Sequence, residues 1–303
     1  MAINILGDIH LYEIAPSGRK DDYLNACLMK LHQVFYSSTS KINLSLGDIF
    51  HKPCVADSTK NKLLELIKDA EIELHICMGN HDIFKDNVET LPKTSLGNLV
   101  QHEAVKIMYP GELYDIDGFK VSVLPFHIED AQNYKPDFHS DIMLGHHFYN
   151  WTRDPKQSLM PEHIEQLNTE FLVLGHDHEP HDPEQLVNTT ILRPGSIMRT
   201  ELKAYTLQHH PKYYVLEKEK GKISITEHII PHEPANAIFK IQEKQDLKHC
   251  AKLMTEIKDL LDKTEITNNG KRGLRDILVS ELNAPQDVVD YLALVHRVNR
   301  MEF

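Results

Sequence analysis

The chain has 303 residues, 33 basic and 45 acidic side chains for a formal net charge of −12, and 41% hydrophobic residues. This is ordinary globular composition, long enough for one large α/β domain or two domains, and it excludes a fibrous or low-complexity chain. The acidic balance argues against unaided grip on a polyanion, so such a substrate must meet local positive charge: bound cations, a basic patch or a partner.

No apolar stretch approaches the roughly 20 residues needed to cross a bilayer, so no membrane association is expected. The strand-like start MAINILGD carries no signal-peptide pattern. The cysteines Cys27, Cys54, Cys77 and Cys250 lack CxxC spacing, which suggests neither a zinc ribbon nor a disulfide framework. A reducing, cytoplasmic setting is expected.

In chain order, INILGDIH reads as a strand, and DDYLNACLMKLHQVFY, residues 21–36, as a helix with apolar residues every three or four positions. INLSLGDIFH is a second strand, residues 57–72 a second helix, and LHICMGNHD a third strand. VKIMYP and FKVSVLPF add sheet, DIMLGHH and FLVLGHDH are strands running into histidines, and TTILRPGS is more sheet. YYVLEKEKGKISITEHII reads as a β-hairpin turning at EKGK. Apolar strands alternating with helices suggest a sheet buried on both faces.

After Pro231 the pattern changes: AIFKIQEK predicts a short strand, LKHCAKLMTEIKDLLDK an amphipathic helix, and NNGKRG a loop. APQDVVDYLALVHRVNR predicts a second helix with Pro285 near its first turn. Its stripe of Val288, Val289, Leu292, Val295 and Val298 suits intramolecular core or, alternatively, a face that binds a partner. A boundary is placed near residue 232, dividing the chain into 1–231 and a small α+β domain, 232–303.

Five strands end in glycine plus polar residues: GDIH, GDIFH, GNHD, GHH and GHDH. In open α/β sheets ligands bind beyond the carboxyl ends of the strands. Asp8 and His10, and again His176 and His178, sit two apart and can point the same way in an extended segment. Asp48 and Asn80 each offer an oxygen. Mixed imidazole, carboxylate and amide donors without thiolate suit manganese, iron or zinc better than calcium, and two such ions need a shared carboxylate, for which Asp48 is the natural choice. Two ions about 3.5 to 4 Å apart can polarise a phosphoryl group and generate a nucleophile from water. His81, followed by Asp82, has the residue types for proton donation to a leaving alkoxide.

The ordered set over residues 1–200 resembles the calcineurin-like metallophosphoesterases. The resemblance implies a layered sandwich of β-sheets flanked by helices, with Asp8, His10, Asp48 and His178 on one metal and Asp48, Asn80, His146 and His176 on the other. It implies His81 as the catalytic histidine with Asp82 as its partner. His146 competes with His147, since alternation lets only one of them face the metals, and the family's Gly-His pattern favours His146. GDIFHKP and ILRPGSIMRTE resemble the SbcD exonuclease branch, which implies His51 as a contact to the scissile phosphate and DNA as substrate. It further implies manganese as the favoured metal over Mg2+, Fe2+ or Zn2+, an SbcC-type ABC ATPase as partner, and a homodimer. Alternatives are a phosphodiesterase for nucleotides or other small molecules, and a non-catalytic adaptor. His127, His139, His181, His209 and His210 match no motif and are expected to be structural or exposed; Arg193 and Arg199 are candidates for a phosphate contact or a salt bridge.

Overall fold

A computed structural model describes residues 1–128, 130–150 and 158–241. The first compact unit runs from Met1 to Phe239. The two C-terminal helices expected after residue 246, Cys250 and the valine-rich stripe lie outside the described residues.

Four strands build the first sheet from the N-terminal half: β1 (Ala2–Leu6), β2 (Ile42–Ser45), β3 (Glu73–Ile76) and β4 (Lys106–Ile107). They are parallel, in the order β1-β2-β3-β4. The second sheet takes β5 (Tyr114–Ile116), β6 (Phe119–Leu124) and β7 (Ser140–His146). A short parallel pair, β8 (Phe148–Tyr149) and β9 (Ser158–Leu159), stands apart. The second sheet is completed by β10 (Thr169–Gly175), β11 (His181–Gln185) and β12 (Thr190–Arg193), in the order β11-β12-β10-β7-β6-β5. The chain then returns to the first sheet: β13 (Lys212–Glu219) pairs antiparallel with β1, and β14 (Lys222–Ile229) closes the edge. Lys220 and Gly221, both at positive φ, make the expected tight hairpin turn.

Connecting helices lie on the outer face of the first sheet. Helix α1 (Tyr23–Ser37) starts where Asp22 caps the Asn25 N–H at 3.1 Å, and it buries Cys27, Leu31, Val34 and Phe35, the i, i+4, i+7 and i+8 positions read from the sequence. Helix α2 (Asp57–Asp69) buries Leu63 and Ile67, and α3 (Ser95–Gln101) buries Leu96 and Leu99. The two sheets face each other across a second core formed by Ile3, Ile5 and Leu44 from one and Val121, Val123, Ile142, Leu144 and Val173 from the other. Both faces of the central strands are thus apolar, which explains their near-continuous hydrophobic runs. The molecule is the expected α/β sandwich of sheets flanked by helices.

One local expectation changes. Ala235–Ile238 is a helical turn where the sequence suggested that a strand begins at Ala237; Phe239 then makes an isolated antiparallel bridge with Arg19, and the strand's continuation past Ile241 lies outside the described residues.

Candidate metal centre

β1, β2, β3, β7 and β10 all run the same way within their sheets, so the five polar clusters leave from carboxyl ends. Backbone hydrogen bonds stitch these exits together. His10 N–H donates to the Asp48 carbonyl at 2.8 Å, and His51 N–H to the Leu11 carbonyl at 3.1 Å. The segment after β12 closes the other side, with Ile197 N–H on the Asp8 carbonyl at 2.9 Å and Ser196 N–H on the His178 carbonyl at 3.2 Å. His10, Asp48 and His176 adopt φ of 52°, 51° and 79°, the left-handed region that costs a non-glycine residue about 1 kcal/mol or more. The pairs Asp8/His10 and His176/His178 therefore converge through turns rather than by extended alternation.

Two glycines make room for the donors. A Cβ on Gly79 would stand 2.1 Å from Asp48 Oδ1, and one on Gly175 would stand 2.5 Å from Asp8 Oδ1. No side chain fits either position without moving a candidate ligand.

Asp8, His10 and His178 form one group of donors, and Asp8, Asp48 and His146 another, each with its ligand atoms within 4.8 Å of one another. In the first, His178 Nε2 lies 3.5 Å from Asp8 Oδ2 and 2.8 Å from His10 Nε2. In the second, His146 Nε2 lies 3.4 Å from Asp48 Oδ2 and 3.2 Å from Asn80 Oδ1. Asp48 also reaches the first group, at 3.6 Å from His10 Nε2. The other nitrogen of each key ring is tied back: His146 Nδ1 donates to the Leu46 carbonyl at 2.6 Å, and His178 Nδ1 meets Thr200 Oγ1 at 3.3 Å. That pattern sets the tautomer and leaves Nε2 for a ligand. His176 sits at the side, its ring centroid 5.1 Å from His146 and 4.2 Å from Phe148, while its N–H donates to Asp8 Oδ2 at 3.0 Å.

The centre fits cations. Asp8, Asp48 and Asp82 are each about 1% exposed, yet Asp8 Oδ1 and His10 Nδ1 have no hydrogen-bond partner. Burial pushes the Asp8 carboxyl up to about 7, His146 pulling it down and the Asp48 charge adding to the rise. Burial opposes ionisation of Asp48 too, but His146, His10 and His81 hold its carboxyl well below the usual range. Burial lowers His178 to about 4 and His176 to about 3, keeping both neutral and able to coordinate. Buried carboxylates with unfilled lone pairs beside neutral imidazoles are the chemistry of a divalent-metal site.

The sequence profile described as calcineurin-like phosphoesterase matches residues 1–180. The chain belongs to the calcineurin-like phosphoesterase family. Among solved structures, a dimetal phosphatase from Danio rerio is similar at a TM-score of 0.52 and 10% identity, covering 77% of this chain and 97% of that one. A vacuolar protein sorting 29 protein from Cryptosporidium parvum is similar at a TM-score of 0.36 and 18% identity, covering 75% of this chain and 97% of that one. A predicted phosphoesterase from Streptococcus pneumoniae has a TM-score of 0.37 and 14% identity, covering 77% and 91%. No curated protein matches the chain.

Of the residues expected at this phosphoesterase's centre, Asp8, His10, Asp48, His146 and His178 fall in the two donor groups and Asn80 lies beside His146, whereas His176 stands outside both groups. Asp82 is not the partner of His81. Its Oδ2 accepts the Asp48 and Gly79 N–H groups at 2.9 and 2.8 Å, and its Oδ1 accepts the Ile49 N–H at 3.0 Å. The carboxylate is consumed in holding two ligand loops. His81 is oriented instead by the His51 carbonyl, which accepts from its Nδ1 at 2.6 Å, and the His81 N–H donates to Asp48 Oδ1 at 2.9 Å. The His51 ring lies nearly parallel to that of His81, centroids 5.4 Å apart.

His147 turns away, its Nε2 3.2 Å from the Pro125 carbonyl, while His146 stands in the donor group with Asp8 and Asp48. Asp177 also turns out and pairs with His181 at 3.0 Å. Arg193 lies 3.6 Å from Glu184, and buried Arg199 donates to the Glu233 carbonyl; neither is placed as a phosphate contact. Sequence reasoning missed the supporting groups: the Leu46 and His51 carbonyls, Thr200, and Tyr23, whose OH donates to the His10 carbonyl at 2.9 Å. Carbonyls carry no sequence signal, and Thr200 and Tyr23 sit in no motif. Among the described residues no helix is long and apolar enough to cross a membrane.

Proposed function

We propose that this phosphoesterase is a dinuclear phosphodiesterase that hydrolyses DNA, acting as the nuclease subunit of an SbcCD-like end-processing complex with an SbcC-type ABC ATPase. Asp8, His10, Asp48 and His178 would hold one ion, and Asp48, Asn80, His146 and His176 the other, with manganese preferred. When bound, such ions polarise the phosphoryl group and supply a nucleophile at neutral pH.

The observation that carries the reading is the setting of His81. Its N–H rests on the shared carboxylate Asp48, and its Nδ1 is locked on the His51 carbonyl, so only Nε2 remains to give a proton to the leaving alkoxide. A non-catalytic adaptor needs no such donor. His51, whose ring centroid lies 5.4 Å from that of His81, would contact the scissile phosphate. The DNA assignment rests on GDIFHKP and on the Pro-Gly-Ser segment, whose Ser196 and Ile197 amides brace the Asp8 and His178 loops.

The test is cleavage of end-labelled DNA with manganese and magnesium compared. His81→Asn should bind metal normally and lose at least about 10²-fold in rate, the share a positioned acid contributes. Full activity in that variant would remove His81 from its role. A second reading, a phosphodiesterase for small molecules, is favoured by the net charge of −12; turnover of a generic diester without any action on DNA would decide for it.

A further inference from the structure

A third set of donors converges beside the two aspartate-containing groups. Ring nitrogens of His10, His51 and His81 lie within 4.8 Å of one another. Their ring centroids are 4.9 to 5.4 Å apart, with His51 and His81 near parallel and His10 edge-on to both. We propose that these three imidazoles form a zinc-selective inhibitory site that overlaps, through His10, the ion pair that supports hydrolysis; the proposal rests on the phosphoesterase reading above for its consequence, though not for its chemistry.

The donor set selects the metal. Three imidazoles plus one water make a four-coordinate zinc site. Manganese and magnesium favour oxygen-rich, six-coordinate surroundings, and at nitrogen donors the affinity order places zinc well above manganese. Lone pairs are available: His51 Nδ1 is buried without a hydrogen-bond partner, and His81 has Nε2 free once Nδ1 is committed to the His51 carbonyl. Zinc–nitrogen bonds of about 2.0–2.1 Å place tetrahedral ligands about 3.4 Å apart, so zinc would draw the three nitrogens closer together.

Two consequences follow from residue sharing. His10 belongs both to this trio and to the Asp8–His178 group, so zinc in the trio competes with the ion held there. His81 Nε2, the proposed proton donor, becomes a zinc ligand and cannot give its proton. Zinc added to the manganese-loaded enzyme should therefore inhibit by about 10²-fold or more, the contribution of a positioned general acid.

Cobalt(II) is the spectroscopic probe, titrated into metal-free wild type, His51→Gln and His81→Asn. The wild type should develop the intense visible bands of four-coordinate cobalt, and zinc should quench them. Both variants should still bind cobalt at the carboxylates but lack those bands. Absence of the bands in wild type, or their persistence in either variant, overturns the site. Inhibition by zinc is then read on a generic phosphodiester with saturating manganese. A protein that cleaves no ester yet shows the bands keeps the zinc site and loses the hydrolase reading, so the two failures are distinguishable.

Discussion

Replacing Asp82 separates a loop clamp from a catalytic partner. The carboxylate is about 1% exposed and accepts three backbone N–H groups, two on Oδ2 and one on Oδ1. Hydrogen bonds to a charged acceptor contribute about 1.5–3 kcal/mol each, and neutral ones about half that. In Asp82→Asn the carbonyl oxygen can keep the Asp48 and Gly79 donors, but the new amide nitrogen faces the Ile49 N–H and leaves it unpartnered. The loss should be about 2–4 kcal/mol, which at a urea m-value of about 3 kcal/mol/M lowers the midpoint of the metal-free protein by on the order of 1 M. Asp82→Ala, which strands all three donors, should fall further. Because His81 Nδ1 is held by the His51 carbonyl, the pH profile of kcat in Asp82→Asn should keep the wild-type shape while metal affinity drops. A midpoint unchanged within about 0.2 M together with a displaced pH limb would refute the clamp and restore Asp82 as the partner of His81.

Other perturbations probe the centre and its surroundings. Asp48→Ala should lose both ions, since Asp48 reaches both donor groups; two ions per chain retained after gel filtration, by elemental analysis, would refute the shared carboxylate. Gly79→Ala drives a Cβ to 2.1 Å from Asp48 Oδ1 and 2.7 Å from His146 Cε1, so metal affinity by titration calorimetry should weaken about 10- to 100-fold with the fold intact. Buried His209 titrates at about 3, lowered first by burial and then by Lys30 and Arg199, against 6.5 for the unperturbed group. Being neutral when folded and protonated when unfolded, it contributes stability above the unfolded pKa that is lost as pH falls. The loss between about pH 7.5 and pH 5 is about 2 kcal/mol, and His209→Phe should flatten the acid side of the urea-midpoint profile by that amount.

The grouping of Asp8, His10, Asp48, His146 and His178 was legible because each polar cluster terminates an apolar strand, and parallel strands within each of the two sheets deliver their exits to one edge. What sequence could not supply was backbone conformation. Reading Asp8/His10 and His176/His178 as extended pairs missed the turns that carry them, because His10 and His176 are left-handed. Adjacency suggested Asp82 for His81, but the turn after Gly79 sends that carboxylate back onto its own loop. The return of β13 to β1 is equally invisible locally, because a pairing of Ile3 with Leu216 leaves no mark on either strand's pattern.

That return bears on synthesis. The strand carrying Asp8 lacks its antiparallel neighbour until residues 213–217 have emerged, and the Asp8 loop is unbraced until Ile197 arrives. All seven candidate metal ligands precede both. A nascent chain on the ribosome thus displays its imidazoles and carboxylates before the strand and the segment that brace the Asp8 loop have emerged. Chains interrupted before residue 197 would carry every ligand and assemble no centre.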